Sequence, residues 1–281
     1  MAYHKIYRYT SIGRPLEPGL PAHKALLVLM PLGALLGAVY AWMDGQAALQ
    51  VLRQALYFLL IVYSSWALAR ELDPDNPMVA YISLVAGMLA ALAVDSPGIL
   101  IVFTTLGLVR MVNRSSGLAA RQSDSIILLI FVLLVIYATD SPFYGVVAGA
   151  AFILDGILKE PLRRQWVFGM VCMGGTVVYM VDHDTGFSQV TAPDSLFGWL
   201  AVLFLLIFVL NTLLLKSVQS KGDSNGKALD AARVRGGMAI GFFAALQGIS
   251  RPDQVVIIVA VIAGICFGMA FRKGFQAPAT G

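Results

Sequence analysis

The stretch RELDPDNP, residues 70–77, holds the densest set of groups in the chain that could do chemistry. Asp73 and Asp75 lie two residues apart with Glu71 close by, and such hard oxygen ligands can hold Mg²⁺, which could bridge to a diphosphate. A turn is the simpler interpretation, because the two prolines stop a helix and an Asp or Asn can cap the next one. The sequence offers no second aspartate-rich motif, which counts against the metal site. The turn is therefore the first interpretation, and a metal or phosphate site and a contact with a partner or lipid are the alternatives.

Asp155 is the best single candidate for proton coupling, cation binding or acid–base work, because a carboxylate inside a membrane helix is a functional hypothesis by default. Lys159, four residues further on, is a ready partner, so a locally paired Asp is the alternative. Arg53 and Asn211 are polar residues predicted inside two other helices. We therefore group Asp155, Arg53 and Asn211 as candidate transport or acid–base residues.

Basic side chains after two further predicted helices could contact phosphate. Arg110 and Arg114 stand four residues apart and precede a Ser-Ser-Gly turn, whose backbone N–H groups could bind an anion. Lys159, Arg163 and Arg164 follow the helix that carries Asp155. Together they could bind a lipid phosphate or an anionic substrate. Their ordinary alternative role is to supply positive charge that sets membrane orientation.

The composition indicates a membrane protein. Of the 281 residues 58% are hydrophobic and the mean hydropathy is +0.78, whereas soluble domains contain roughly 45–50% apolar residues. Apolar runs and their breakers predict an all-α, polytopic helical bundle of about ten transmembrane helices, several of them short. The predicted helices are 25–43, 47–69, 78–94, 97–112, 125–139, 142–158, 166–181, 195–215, 236–250 and 254–271.

Charge distribution predicts the orientation. With ten spans and a cytoplasmic N-terminus, every Lys and Arg except Arg53 and Arg251 falls on the cytoplasmic side, and the opposite loops are almost purely acidic. We expect an inner (plasma) membrane protein with both termini cytoplasmic. Its parts are an N-terminal tail (1–24), one transmembrane domain (25–271) and a C-terminal tail (272–281). Within the domain, residues 216–235 are expected to form a solvated cytoplasmic loop that is flexible up to Gly226, with helix resuming near Ala228.

Small residues are expected to pack the helices, because lipid gives no hydrophobic drive for helix association. GxxxG pairs occur at Gly33/Gly37, Gly145/Gly149, Gly237/Gly241 and Gly264/Gly268. Contact within one chain is the first interpretation, and a homo-oligomer or a membrane complex is the alternative. Membrane lipids are the expected partners. Nucleic acid is not expected, since the positive-inside loops account for the basic pI of about 9.1.

Three functions fit these features. A permease or exporter for a small or lipid-like solute comes first, because the chain has no sizeable soluble domain. A transferase or hydrolase acting on phosphate-bearing lipids at the cytoplasmic face is second, and a non-catalytic subunit of a membrane complex is third. Whether the protein is an enzyme is thus left open, and a non-enzymatic role is the first expectation. No cofactor is expected, except Mg²⁺ under the second function.

Overall fold

The computed structural model describes residues 5–94, 98–184, 186, 195–247 and 252–275, and the side chains among them except those of residues 5, 252–254 and 270–275. This part of the chain forms ten α-helices and one short 3₁₀ helix, with no strand. The all-helical fold and the ten helices predicted from the sequence are confirmed. The helices are α1 Pro21–Met43, α2 Ala48–Leu72, α3 Pro77–Leu92, α4 Ile99–Asn113, α5 Gln122–Thr139, α6 Pro142–Ile157, α7 Gln165–Asp182, α8 Leu196–Leu214, α9 Ala231–Leu246 and α10 Pro252–Phe275; the 3₁₀ helix is Lys5–Arg8.

Helices α1 and α9 begin furthest ahead of their predicted starts at 25 and 236, and each start has a local cause. Helix α1 begins at Pro21, where a proline at the first helical position loses no hydrogen bond. Helix α9 begins at Ala231, because the Asp230 side chain accepts hydrogen bonds from the N–H groups of Ala232 and Arg233 at 3.0 and 3.1 Å.

Four helices are long and apolar enough to cross a membrane: α1, α2, α5 and α8. Helices α3 and α6 have 16 residues each. At about 1.5 Å per residue, each of these spans about 24 Å, which is shorter than a hydrocarbon core of about 30 Å. By length and composition, the described part of the chain thus has four helices able to cross a membrane, beside shorter apolar ones.

Helix α4 lies at the centre of the bundle, in contact with α2, α5, α6, α9 and α10. Its apolar side chains, such as Ile101, Leu108 and Val112, are buried, and so are the polar Thr105 and Asn113. Helix α8, by contrast, buries only three residues. The short central helix therefore carries polar and charged groups that the rest of the bundle surrounds, whereas most side chains of α8 face away from the bundle.

Close approach between helices depends on glycine at two informative positions. A Cβ on Gly237 of α9 would overlap the Asn113 Oδ1 atom of α4, and a Cβ on Gly264 of α10 would come within 2.6 Å of the Ser83 Cα of α3. Both glycines belong to GxxxG pairs, and the contacts they permit are between helices of the same chain.

Non-helical segments gather at one end of the bundle, which we call the tail-side end: 9–20, 73–76, 114–121, 158–164 and 215–230. The opposite end holds 44–47, 140–141, 183–184 and 247. The expected flexible linker at 216–226 is instead fastened. Gln219 and Ser220 donate backbone N–H groups to Asp75 at 2.8–3.1 Å, and Ser224 donates its N–H to the Ser116 carbonyl at 2.9 Å. The loop is thus part of an ordered layer.

Candidate functional site

A buried carboxylate shared by two arginines lies at the tail-side end. Asp155, one turn before the end of α6, has no exposed surface. Its Oδ1 accepts from Arg114 Nε and Nη2 at 3.0 and 2.8 Å and from Arg233 Nη1 at 2.8 Å, while Oδ2 accepts from Gln165 Nε2 at 3.0 Å. We call these four residues the Asp155 cluster. Buried charges of this kind persist only when they are paired and hydrogen-bonded.

Helix ends place the members of the Asp155 cluster. Arg114 terminates α4 in the left-handed conformation, with φ of 51°, which is unusual for a residue other than glycine. Arg233 lies in the first turn of α9 and Gln165 is the first residue of α7. The Gln165 side-chain oxygen accepts from the Ser125 hydroxyl of α5 at 3.0 Å. Strained backbone of this type is often kept at functional sites.

A second shared carboxylate lies nearby. Glu71, at the end of α2, is 1% exposed, and its Oε1 accepts from Arg14 Nη1 and Arg110 Nε, both at 3.0 Å. Arg14 also forms a bidentate pair with Asp223 of the 215–230 segment, with distances of 2.6 and 2.8 Å. Burial alone would lower the pKa of Arg14, but the charges of Glu71 and Asp223 outweigh it and raise that pKa, so Arg14 stays charged. We call Arg14, Glu71 and Arg110 the Glu71 cluster.

The two clusters are joined through α4. Arg110 and Arg114 stand one turn apart on this helix and bind different carboxylates. Between them, Asn113 Nδ2 donates to the Glu71 backbone carbonyl at 2.8 Å, and Arg233 Nη1 donates to the Val112 carbonyl at 2.9 Å. One continuous set of buried polar contacts therefore ties α2, α4, α6, α7 and α9 to the N-terminal tail.

Three predicted site residues meet here: Asp155, Arg110 and Arg114. Lys159 contributes its backbone carbonyl, which accepts from Arg233 Nε at 3.1 Å, and the ion-pair partners of Asp155 are the two arginines. Helix α6 ends at Ile157 and Leu158 is extended, so the i, i+4 geometry expected between Asp155 and Lys159 does not form.

The other predicted residues lie apart from the clusters. Arg163 and Arg164 are exposed, and Arg164 Nη2 donates to the Ala120 carbonyl. Arg53 is exposed near the start of α2, at the opposite end of the bundle. Asn211 Nδ2 donates to the Ile207 carbonyl of its own helix at 2.9 Å.

The two aspartates of the 70–77 stretch are engaged with the protein. Asp75 accepts from the N–H groups of Gln219 and Ser220 and from the Ser220 hydroxyl, and Asp73 accepts from Asn76 Nδ2 at 2.7 and 2.9 Å. Among the described residues, no group of three or more His, Cys, Asp or Glu side chains could hold a metal ion.

Sequence reasoning missed three members of these clusters, Arg14, Gln165 and Arg233, and also missed Asp223, the second partner of Arg14. Arg14 stands in a proline-rich tail, and Asp223 and Arg233 stand in what reads as a solvated basic loop. The one feature of the sequence that could have indicated these pairs is Glu71, which comes directly after a long predicted apolar helix. If this carboxylate is buried, it needs a cationic partner.

A cavity of ≈ 120 Å³ lies beside the Asp155 cluster. Its wall includes Arg114, Arg233, Lys159 and Lys227, with Asp230 and Glu160 as the acidic residues. The site thus combines a small polar cavity with two arginines that share one buried carboxylate.

No family model matches the chain, and no curated protein or solved structure matches it. Fold and site define it as an all-helical protein with four helices able to cross a membrane and with buried arginine–carboxylate clusters at one end of the bundle. The function of the protein is therefore inferred from the contacts of these clusters.

Proposed function

We propose that the protein is a multi-pass permease of the inner membrane, moving a small or lipid-like solute, and that its two charge clusters form a gate that closes the cytoplasmic end. In this proposal the ten helices are embedded in alternating directions, with both termini in the cytoplasm. Support comes from the contacts that bring the tail, the 114–121 turn and the 215–230 segment to one end, where most Lys and Arg residues also lie.

The observation that carries the proposal is that each buried carboxylate joins groups from separate parts of the chain. Asp155 of α6 binds arginines from α4 and α9, and Glu71 of α2 binds arginines from α4 and the tail. Buried ion pairs add little net stability compared with well-packed apolar groups, and a switch is among their best-attested uses. Such pairs suit a gate, because separation of the helices would let water replace each bond.

Occupancy of the carboxylates favours a gate over catalysis. A general acid or base must reach the reacting proton, whereas Asp155 and Glu71 are both held by two guanidinium groups. The ≈ 120 Å³ cavity supports one second candidate, a transferase or hydrolase at the cytoplasmic face, since Lys159 and Lys227 on its wall could contact a phosphate.

Flux from liposomes tests the permease. Purified protein would be reconstituted into liposomes loaded with a mixture of small polar and amphiphilic metabolites, and mass spectrometry would follow each solute outside. We expect at least one solute to leave roughly tenfold faster than from protein-free liposomes. Asp155→Asn should lower that flux by about tenfold or more. Loss of the buried carboxylate shifts the equilibrium between the closed and the open gate by several kcal/mol toward the open state, so the closed state of the transport cycle is rarely reached.

Arg163→Gln is the matched control, because Arg163 is exposed at the same end. Arg233→Lys keeps the charge but not the fork geometry, and it should lower flux less than Asp155→Asn. The proposal fails if no solute distinguishes protein-containing from empty liposomes, or if Asp155→Asn folds and transports like wild type. Conversion of a solute into a new compound in the same samples would favour the enzyme instead.

A further inference from the structure

We propose a second site, a pocket for a phosphate-bearing anion held by Arg70, Trp66 and His23 where the tail crosses the ends of α1 and α2. The residues that would bind the anion belong to neither charge cluster. This proposal does not rest on the permease, and either could fail alone.

A small inner chamber of ≈ 30 Å³ carries the argument. Among the described residues its wall includes Arg14, Arg70 and Arg110 and no carboxylate, so its electrostatic potential favours an anion. Trp66 is also on this wall and is only 6% exposed, and its Nε1–H has no hydrogen-bond partner in the part of the chain that the structure describes. A buried donor without a partner is costly, and a ligand oxygen would satisfy it.

Arg70 is the arginine of this wall whose N–H donors are least engaged by other protein groups. Arg14 and Arg110 are bound to Glu71, whereas Arg70 forms no ion pair within the described part of the chain and donates only a long bond, 3.3 Å, to the Pro74 carbonyl. Its planar guanidinium has five N–H donors, which suits bidentate binding of a phosphate.

His23 adds a third donor. Its Nδ1 accepts from the Glu17 backbone N–H at 2.8 Å, so the neutral ring carries its proton on Nε2. The imidazole packs edge-on against Trp66, with ring centroids 5.6 Å apart. Glu17 therefore fixes the tautomer of a histidine that shares the chamber wall with Trp66 and Arg70.

An outer groove of ≈ 570 Å³ shares Arg14, His23 and Arg70 with the chamber. The chamber alone has about the volume that one water molecule occupies in the liquid, which is room for a single phosphate oxygen. The rest of a phosphate and its ester would lie in the groove, whose apolar wall is Pro15, Leu16, Pro18 and Leu20.

Two carboxylates also line the groove. Asp223 is already paired with Arg14, and Glu17 is the residue that positions His23 through its N–H. Positive donors deep in the pocket and apolar residues at its mouth fit a phosphate carried by an amphiphile, such as an anionic lipid. Free inorganic phosphate shares the recognised chemistry.

Binding to the full chain in an uncharged detergent tests the site. Dioctanoyl phosphatidic acid, inorganic phosphate and uncharged dioctanoylglycerol would each be titrated, with native mass spectrometry to count bound molecules and thermal shift to give a Kd. We expect phosphatidic acid to bind and dioctanoylglycerol not to bind. A preference for the lipid over inorganic phosphate assigns a lipid headgroup, and equal affinity assigns a free phosphate; both outcomes support the anion site.

Substitutions locate the binding. Arg70→Gln should weaken phosphatidic acid binding by about tenfold or more, because charge-assisted hydrogen bonds are lost. Trp66→Phe keeps an aromatic ring at this position but removes the indole N–H, and about threefold weaker binding is expected. This variant also tests the site if Arg70→Gln folds poorly. Lys216→Gln, an exposed cation at the same end that lines neither the chamber nor the groove, should leave the Kd unchanged.

Three results would overturn the assignment. Dioctanoylglycerol could bind as tightly as phosphatidic acid, which would make the contact apolar. Folded Arg70→Gln and Trp66→Phe could bind as wild type does. Lys216→Gln could weaken binding as much as Arg70→Gln, which would make the effect one of general surface charge.

Discussion

The two ends of the bundle hold their helices together by different means. At the tail-side end, Asp155 and Glu71 are buried and each binds two arginines. At the opposite end the contacts among described residues include Ser141 Oγ to Gln247 Oε1 at 2.9 Å and Tyr179 to Asp140 Oδ1 at 2.5 Å. One end is closed by charge that costs much to separate in an apolar medium, and the other by single hydrogen bonds.

This difference bears on how the ends could open. Each of these two bonds at the opposite end involves at most one charged group, whereas a broken arginine–carboxylate pair needs both charges to become hydrated. The tail-side end should therefore open in one cooperative step, with the tail and the 215–230 segment moving together, because Arg14 connects both of them to Glu71.

The largest predicted effect is on the Asp155 cluster. Asp155→Asn removes the carboxylate that two buried arginines share, and we expect the free energy of unfolding to fall by about 3–5 kcal/mol. Asp140→Asn is the matched change at the opposite end, where the carboxylate is exposed, and about 1 kcal/mol or less is expected. Chemical denaturation in detergent, followed by tryptophan fluorescence, measures both. Equal losses would erase the contrast between the two ends.

The next effect concerns packing beside the clusters. In Gly237→Ala the new methyl group would displace Asn113, whose Nδ2 donates to the Glu71 carbonyl, so a loss of about 1–3 kcal/mol is expected. Gly174→Ala is the control, because nothing lies within 4 Å of its added Cβ. That variant should gain about 0.5–1 kcal/mol, since alanine favours a helix. The same denaturation measurement applies, and a neutral Gly237→Ala would show that Asn113 has room to move.

These sites also show what sequence could and could not predict. All ten helices follow from apolar runs, because a local stretch of hydrophobic residues is enough to specify a buried or membrane helix. The partners of the charges do not follow. Arg14 and Glu71 are 57 residues apart and Asp155 and Arg233 are 78 apart, so their pairing depends on how the helices pack. The one pairing predicted from local spacing, Asp155 with Lys159, is prevented by the end of α6.

A smaller effect should follow from unfastening the 215–230 segment. In Asp75→Asn only one side-chain oxygen remains to accept from Gln219 and Ser220, which bind both carboxylate oxygens of Asp75. The free energy of local opening of the 215–230 segment should therefore fall by about 1–2 kcal/mol. Trypsin should then cut at Lys221 and Lys227 about 5–30 times faster, since cleavage follows the population of the open form. Asp44→Asn, a change at the opposite end, should leave the rate unaltered. Unchanged cleavage in Asp75→Asn would mean that other contacts hold the segment.

The smallest effect is a pH dependence of the tail. Burial, followed by the neighbouring charge of Asp223, raises the pKa of Tyr7 to about 12. A phenol in an unfolded tail titrates near 10, so the docked tail binds the proton more tightly than the free tail does. Docking is therefore fully stabilised below about pH 10 and loses this stabilisation as the pH rises toward 12.

A dye attached through Arg8→Cys, at an exposed position on the tail, would report docking as fluorescence anisotropy between pH 9 and 11.5. Anisotropy should fall above about pH 10 when Tyr7 is present and fall less in Tyr7→Phe, which has no phenol to ionise. Tyr9→Phe is the control, because Tyr9 is 73% exposed and should not affect the curve. Identical curves for both variants and the unsubstituted tail would mean that ionisation of Tyr7 is not what releases the tail, and that the arginine contacts alone set its attachment to the tail-side end.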